Sequence, residues 1–124
     1  MSRRIRMTSG TVSVEATLND GPTADALWEA LPIEGQANTW GDEIYFSIPV
    51  RVVQEADARA EMAEGEIAYW PPGNAFCIFF GPTPASSGDA PQAASPVNVL
   101  GQVDGDATVF RVVSDGAVVR LDPA

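Results

Sequence analysis

The sequence predicts a single mostly-β domain with one clear helix, and three observations carry this prediction. About seven or eight short stretches either alternate apolar and polar residues or are apolar throughout, as β-strands are. Glycine- and proline-rich turns separate these stretches. The chain has 124 residues, which is a usual length for one domain. Many short strands joined by such turns are typical of a sandwich or a barrel, and closure into a barrel would remove exposed sheet edges.

The chain begins with a predicted β-hairpin. Residues 3–7 and 11–17 alternate in polarity on either side of Ser9-Gly10, a pair that tolerates a tight turn. A helix is predicted next, over about 22–31, because apolar residues recur there at helical spacing. Pro22 suits its first position and Pro32 ends it. Trp28 lies on the apolar stripe and is therefore expected in the core.

The strongest strand pattern lies in the middle of the chain, where Ile44, Phe46 and Ile48 alternate with Glu43, Tyr45 and Ser47. Two segments are ambiguous: 54–65 is either a surface loop or a loose helical turn, and 106–113 is either a short helix or a strand. Residues 81–96 form the longest aperiodic segment, which is typical of a functional or mobile loop. The remaining strands are predicted at 50–53, 66–70, 75–80, 97–103 and 117–121.

Composition excludes several classes of function. The chain has 17 acidic and 7 basic residues and a net charge of -10, which disfavours nucleic-acid backbones and anionic membranes as partners. It contains no histidine, so a Ser-His-Asp triad and histidine-based metal sites cannot form within it. The single Cys77 cannot form an internal disulfide and is expected to be a buried, unreactive thiol. No metal or cofactor is predicted.

The sequence carries no signal for a membrane. No apolar stretch reaches the roughly 18 residues needed to cross a bilayer. The basic start of the chain, Met1-Ser2-Arg3-Arg4, is not followed by an apolar segment, so no signal peptide is predicted and a cytoplasmic location is expected.

Four sequence blocks stand out: residues 38–47 (NTWGDEIYFS), 65–73 (GEIAYWPPG), 76–84 (FCIFFGPTP) and 96–101 (PVNVLG). Together they resemble a known family, the small stand-alone cyclophilin-like proteins of bacteria and archaea. The resemblance spans the chain and implies one cyclophilin-like domain over 1–124. The implied fold is a closed β-barrel of about eight strands with one or two short helices at its ends.

The resemblance implies no particular activity, because this family is largely uncharacterised and a fold does not by itself specify function. True cyclophilins isomerise peptidyl-prolyl bonds with an arginine beside an apolar aromatic pocket. This sequence shows no such motif, and the nearest candidate for the arginine is Arg51, which follows a predicted strand.

Strand alternation predicts a candidate site. If Ile44, Phe46 and Ile48 fill the barrel, Glu43 and Tyr45 point outward. The same rule places Phe76, Ile78 and Phe80 inward, with Cys77 and Phe79 outward. It also places Val97 and Val99 inward and Asn98 outward. We therefore predict a concave outer patch beside loop 81–96 whose members are Trp40, Glu43, Tyr45, Phe79 and Asn98.

Within this patch Glu43 is the candidate general acid or base, because apolar neighbours would raise its pKa. The other four residues would contact a ligand. The alternative is structural: Trp40, Tyr69 and Trp70 cap the barrel ends, and Glu43 pairs with a surface arginine. Asp104 and Asp106 favour a turn over a cation loop, because the run is too short for an EF-hand.

Three functions are compatible with these residues. The first is binding of a small molecule or a proline-containing peptide on the aromatic outer patch. The second is weak peptidyl-prolyl isomerisation, which needs little acid-base machinery. The third is an amidohydrolase- or oxoprolinase-type enzyme, or a subunit of one, that uses Glu43 as general acid or base.

Overall fold

The computed structural model describes residues 3–124, which form ten strands, one α-helix and two short 3-10 helices. The helix α1 spans Pro22–Ala30, and the 3-10 helices span Pro71–Gly73 and Ala107–Val112. The mostly-β fold class is therefore confirmed. The strands are β1 (Arg4–Ser9), β2 (Val12–Leu18), β3 (Ile33–Gln36), β4 (Asn38–Thr39), β5 (Glu43–Ser47), β6 (Arg59–Glu61), β7 (Glu66–Trp70), β8 (Ala75–Phe79), β9 (Gln92–Val103) and β10 (Val118–Pro123).

All ten strands belong to one antiparallel sheet, whose order is β3-β10-β1-β2-β9-β7-β8-β5-β4, with β6 paired to β9 outside this path. The end strands β3 and β4 are separated in the chain by Ala37 alone. The sheet therefore curves until the segment 33–39 pairs with β10 on one side and with β5 on the other. Within residues 3–124 the described ladder is not continuous round a ring, so closure into a barrel stays a prediction.

The main hydrophobic core lies on the concave side of this sheet. Ile44, Phe46 and Ile48 are buried in it, as the alternation of β5 predicts. Phe46 lies against Phe76 of β8, with 5.6 Å between ring centroids. Leu27 of α1 is buried in the same core. The inward orientation predicted for Phe76, Ile78 and Phe80 is confirmed.

A second, smaller apolar cluster lies on the convex side of β7 and β8. Ala68, Cys77 and Phe79 form its base, and Ala93 and Val97 of β9 cover them. This second layer explains why every residue of β8 is buried, since both faces of the strand are covered. Runs that are apolar throughout are expected of strands buried on both sides.

Several predicted elements need correction. The segment 50–53 is not a strand and 54–65 contains the short strand β6, whereas 106–113 adopts the helical one of its two predicted forms, as a 3-10 helix. Three of the ten strands, β3, β4 and β6, have no counterpart among the predicted strands, and they have four, two and three residues. Segments this short have no readable alternation.

Trp28 is half-buried rather than fully in the core. It packs against the main core, and the Arg3 guanidinium lies 5.5 Å from the centroid of its ring. Asp104 and Asp106 each have a structural role: Asp104 pairs with Arg4 at 2.9 Å, and Asp106 accepts a hydrogen bond from the backbone of Thr108 at 2.9 Å.

Within residues 3–124 no group of three or more acidic or cysteine side chains is arranged to hold a metal ion. No helix in this range has the length and apolar character that a membrane span requires.

Candidate functional site

A cavity of about 260 Å³ opens on the convex side of the sheet, within the second apolar layer. Three aromatic side chains form its walls, those of Trp40, Tyr45 and Trp70. Glu43 and Cys77 line it from β5 and β8. The remaining lining residues come from β9 and are Ala93, Ala94 and Val97.

The pairing of β5 with β8 brings the polar lining groups together. Tyr45 is opposite Cys77 in the register, and Glu43 precedes Tyr45 by two positions. Because residues two apart on a strand share a face, Glu43, Tyr45 and Cys77 all point to the convex side. The predicted outward orientation of Glu43 and Tyr45 is therefore found, and both side chains line the cavity.

A tight turn places Trp40 beside Glu43. The backbone N–H of each residue donates to the carbonyl of the other, at 2.9 and 3.2 Å, so that Gly41 and Asp42 form a two-residue hairpin turn. Gly41 has a φ of 59°, a conformation that glycine adopts at little cost. A Cβ at this position would lie 2.9 Å from Thr83 Cα. The predicted loop 81–96 is shorter in the structure and covers 81–91, because β9 begins at Gln92. The turn thus needs glycine both for its backbone angle and for its contact with this 81–91 loop.

The opposite wall is an irregular part of β9. Val97 pairs with Arg59 of β6 and Gln92 pairs with Glu61, so residues 93–96 bulge opposite Ala60 alone. The indole Nε1 of Trp70 donates to Ser95 Oγ at 2.7 Å and ties this bulge to β7. Small side chains at Ala93 and Ala94 face the aromatic walls, and this leaves the space that forms the cavity.

The carboxyl of Glu43 is in an unusual environment for a charged group. The residue is 5% exposed, and burial raises the pKa of its carboxyl to about 7, against a smaller opposing effect of a hydrogen bond with Cys77. Burial and the adjacent Glu43 charge likewise raise the pKa of the Cys77 thiol well above its ordinary value. Among residues 3–124 no arginine forms an ion pair with Glu43. The alternative of a surface ion pair is therefore wrong.

The structure does not bring Asn98 to the cavity. Its side chain is fully buried on the concave side, where Oδ1 accepts from the backbone N–H of Glu55 at 2.8 Å and Nδ2 donates to Val53 O at 3.0 Å. The predicted orientation of 97–99 is wrong, because Val97 faces the second apolar layer. Both sides of the sheet are covered by apolar layers here, so a valine does not indicate which side faces the main core.

Phe79 also lies outside the cavity lining. It points to the convex side as predicted, but it is fully buried in the second apolar layer. Arg51 is exposed and does not line the cavity. Tyr69 is a fully buried residue of the main core rather than a cap at a barrel end, and its hydroxyl donates to Val50 O at 2.7 Å.

Sequence reasoning missed two contributions to the site. Trp70 was one of the aromatic residues expected to cap an end, although its position two residues after Ala68 places it on the convex face of β7. The β9 wall of Ala93, Ala94 and Val97 had no signal, because a bulge made of small residues looks like part of a loop.

Comparison with known proteins agrees with this architecture. The cyclophilin-like family model matches residues 3–122. The chain belongs to the cyclophilin-like family. It is also similar to the solution structure of the hypothetical protein AF2241 from Archaeoglobus fulgidus, with 38% identity and a TM-score of 0.83 over 99% of this chain and 95% of that one. No curated protein matches the sequence.

Proposed function

We propose that this cyclophilin-like protein binds a small organic molecule in the cavity around Glu43. The observation that carries the proposal is a nearly buried carboxyl, free of any arginine partner among residues 3–124, inside a cavity with three aromatic walls. Apolar pockets with few polar groups and a titratable residue of shifted pKa are typical of ligand sites.

The size of the cavity limits the ligand. A volume of about 260 Å³ corresponds to roughly nine water molecules at about 30 Å³ each. This is below the range of about 300–1,000 Å³ that holds drug-sized ligands. The ligand, or the part of it that enters, therefore has on the order of ten non-hydrogen atoms.

A structural role alone does not account for this carboxyl. Burying an ionised group costs free energy unless it is paired, and a glutamine or leucine would fill the same position without that cost. Groups kept in such positions at the expense of stability are concentrated at functional sites.

Catalysis by Glu43 is a second candidate function. A carboxyl with a pKa of about 7 can both accept and donate a proton near neutral pH, which general acid-base catalysis on an amide or cyclic substrate requires. Prolyl isomerisation has less support, because no arginine among residues 3–124 lines the cavity to donate to the amide.

A cytoplasmic location stays a prediction.

A ligand screen on the Trp28→Phe variant tests binding. This variant keeps Trp40 and Trp70, which both line the cavity, so its fluorescence reports on the site. The probes are a fragment set of about ten non-hydrogen atoms each and a proline-containing tetrapeptide. We expect some fragments to change the fluorescence and to raise the melting temperature of the unaltered protein, since a ligand at 100 times its Kd stabilises by about 2.7 kcal/mol.

Two variants locate the binding. Trp40→Leu removes one aromatic wall and is expected to abolish the melting-temperature shift, whereas Trp28→Leu, on α1, is expected to preserve it. Ligands whose shift survives Trp40→Leu would place binding elsewhere, and a screen without ligands would refute the proposal. Turnover of a bound amide that is lost in Glu43→Gln would favour the catalytic candidate.

A further inference from the structure

The charges around the cavity are unbalanced. Glu43 is the charged residue among its lining side chains, and the other titratable lining groups are Tyr45 and Cys77. Nearby acidic residues have partners: Asp42 is 3.4 Å from Arg111, and Glu66 is 2.6 Å from Arg59. Within residues 3–124, therefore, the charge of an ionised Glu43 is not balanced by a cation of the protein.

The aromatic walls of the cavity also favour a positively charged ligand. Aromatic rings attract cations through the negative potential of their faces, and sites for quaternary or methylated ammonium groups are built from several such rings. Here Trp40, Tyr45 and Trp70 surround a cavity that also holds a carboxyl. An anionic ligand would be repelled by Glu43 and by the net charge of -10, which attracts cations to the surface.

We infer that the ligand is a small organic cation, an ammonium or methylated ammonium compound whose charged group lies between the Glu43 carboxylate and the aromatic walls. This inference rests on the proposed binding function and gives it a chemical class. Cation and carboxylate would balance each other in the low-dielectric cavity, where an ion pair is stronger than at the surface. Ala93 and Ala94 leave room for methyl groups.

Three probes of one shape separate charge from shape. Choline is the cation, 3,3-dimethyl-1-butanol is its neutral isostere and 3,3-dimethylbutanoate is the anion. Each is titrated into Trp28→Phe while the tryptophan fluorescence is recorded. We expect choline to bind at least tenfold more tightly than the alcohol and the anion not to bind. Equal affinity of choline and the alcohol would overturn the cation inference.

The role of Glu43 is tested by Glu43→Gln in the same background, with Glu64→Gln, an exposed glutamate, as matched control. We expect Glu43→Gln to weaken choline binding at least tenfold and to leave the alcohol unchanged, and Glu64→Gln to change neither. Unchanged choline affinity in Glu43→Gln would overturn the inference. Trp40→Leu is expected to weaken both choline and the alcohol, whereas Glu43→Gln weakens choline alone, and this contrast separates loss of the cavity from loss of charge.

The pH dependence of choline affinity gives a further test of the inference. Because the carboxyl must be ionised to attract a cation, choline affinity should fall by up to roughly 30-fold between about pH 8.5 and pH 5.5, given a pKa of about 7. Choline affinity that does not change with pH would contradict the inference. If no probe binds but the fragment screen finds ligands, the cation inference is wrong and the proposed binding function stands. If both fail, both are wrong.

Discussion

The two faces of strand β5 are built from neighbouring residues but differ in kind. On the concave face, Ile44 and Phe46 are almost fully buried within a core that extends across the sheet to α1. On the convex face, Glu43 and Tyr45 border a cavity of about 260 Å³. The same five-residue strand thus supports a packed interior on one side and an open site on the other.

The difference follows from what covers each face. The concave face is closed by long regular strands and a helix, whose large side chains interdigitate. The convex face is covered by the three-residue strand β6 and a bulge of β9 whose side chains at Ala93 and Ala94 are small. Such a cover leaves a void, and bulges of this kind are common next to functional sites.

The largest expected effect comes from emptying the concave face. Phe46→Ala removes a buried ring that packs against Phe76, and it should lower the free energy of unfolding by about 3–5 kcal/mol. Tyr45→Ala, one position away, removes a half-buried ring beside a cavity and should cost about 1–2 kcal/mol. Urea denaturation of both variants measures the difference. Equal losses would show that the two faces are equally packed.

The sequence predicts the concave face better than the convex one. The alternation of Ile44, Phe46 and Ile48 identifies the core because each residue has the polarity of its environment. At 97–99 the same rule fails, since Asn98 is buried with its amide bonded to backbone groups of 53–55 while Val97 faces the cavity. Hydrogen bonds between segments distant in sequence satisfy that amide, and no local pattern shows them.

The candidate site is likewise predictable only where its residues lie close together in the sequence. Trp40, Glu43 and Tyr45, which line the cavity, are predictable as neighbours because a hairpin keeps them close in sequence. The wall formed by Ala93, Ala94 and Val97 depends on a long-range pairing with β6 and on a bulge. Neither is encoded by residues adjacent in the chain.

The second expected effect concerns the carboxyl on the convex face. Its pKa is about 7 in the folded chain against an ordinary 4.5, so the folded chain binds the proton more tightly than the unfolded one. The stabilisation that the Glu43 carboxyl provides is therefore complete below about pH 4.5. About 3 kcal/mol of this stabilisation is lost as the pH rises to 7 and slightly above. Glu43→Gln should remove this loss.

Comparison of the unaltered protein with Glu43→Gln separates the pH dependence contributed by Glu43 from that of the other carboxyl groups. Glu66 shows the opposite behaviour: burial alone would raise the pKa of its carboxyl, but hydrogen bonds from Arg59 and from the Ala63 backbone lower it. Its contribution to stability therefore has the opposite pH dependence, and this contribution is the same in both proteins. The difference in free energy of unfolding should grow in favour of Glu43→Gln between pH 4.5 and 7.5. A difference independent of pH would show that Glu43 is solvated.

The smallest expected effect tests how the hairpin turn holds the cavity wall. Gly41 and Gly10 have nearly the same φ, 59° and 58°, but a Cβ at Gly41 would lie 2.9 Å from Thr83 Cα whereas one at Gly10 would meet nothing within 4 Å. Gly10→Ala should therefore cost about 1 kcal/mol for its backbone conformation alone, and Gly41→Ala about 1 kcal/mol more.

Because the Gly41 turn positions Trp40, Gly41→Ala should also weaken ligand binding at the cavity, whereas Gly10→Ala should not. Urea denaturation and fluorescence titration of both variants in the Trp28→Phe background measure the two effects. Equal destabilisation with unchanged binding would mean that the 81–91 loop yields to the added methyl group. The convex face would then be as tolerant of change as a surface loop, and its cavity would depend on the bulge of β9 alone.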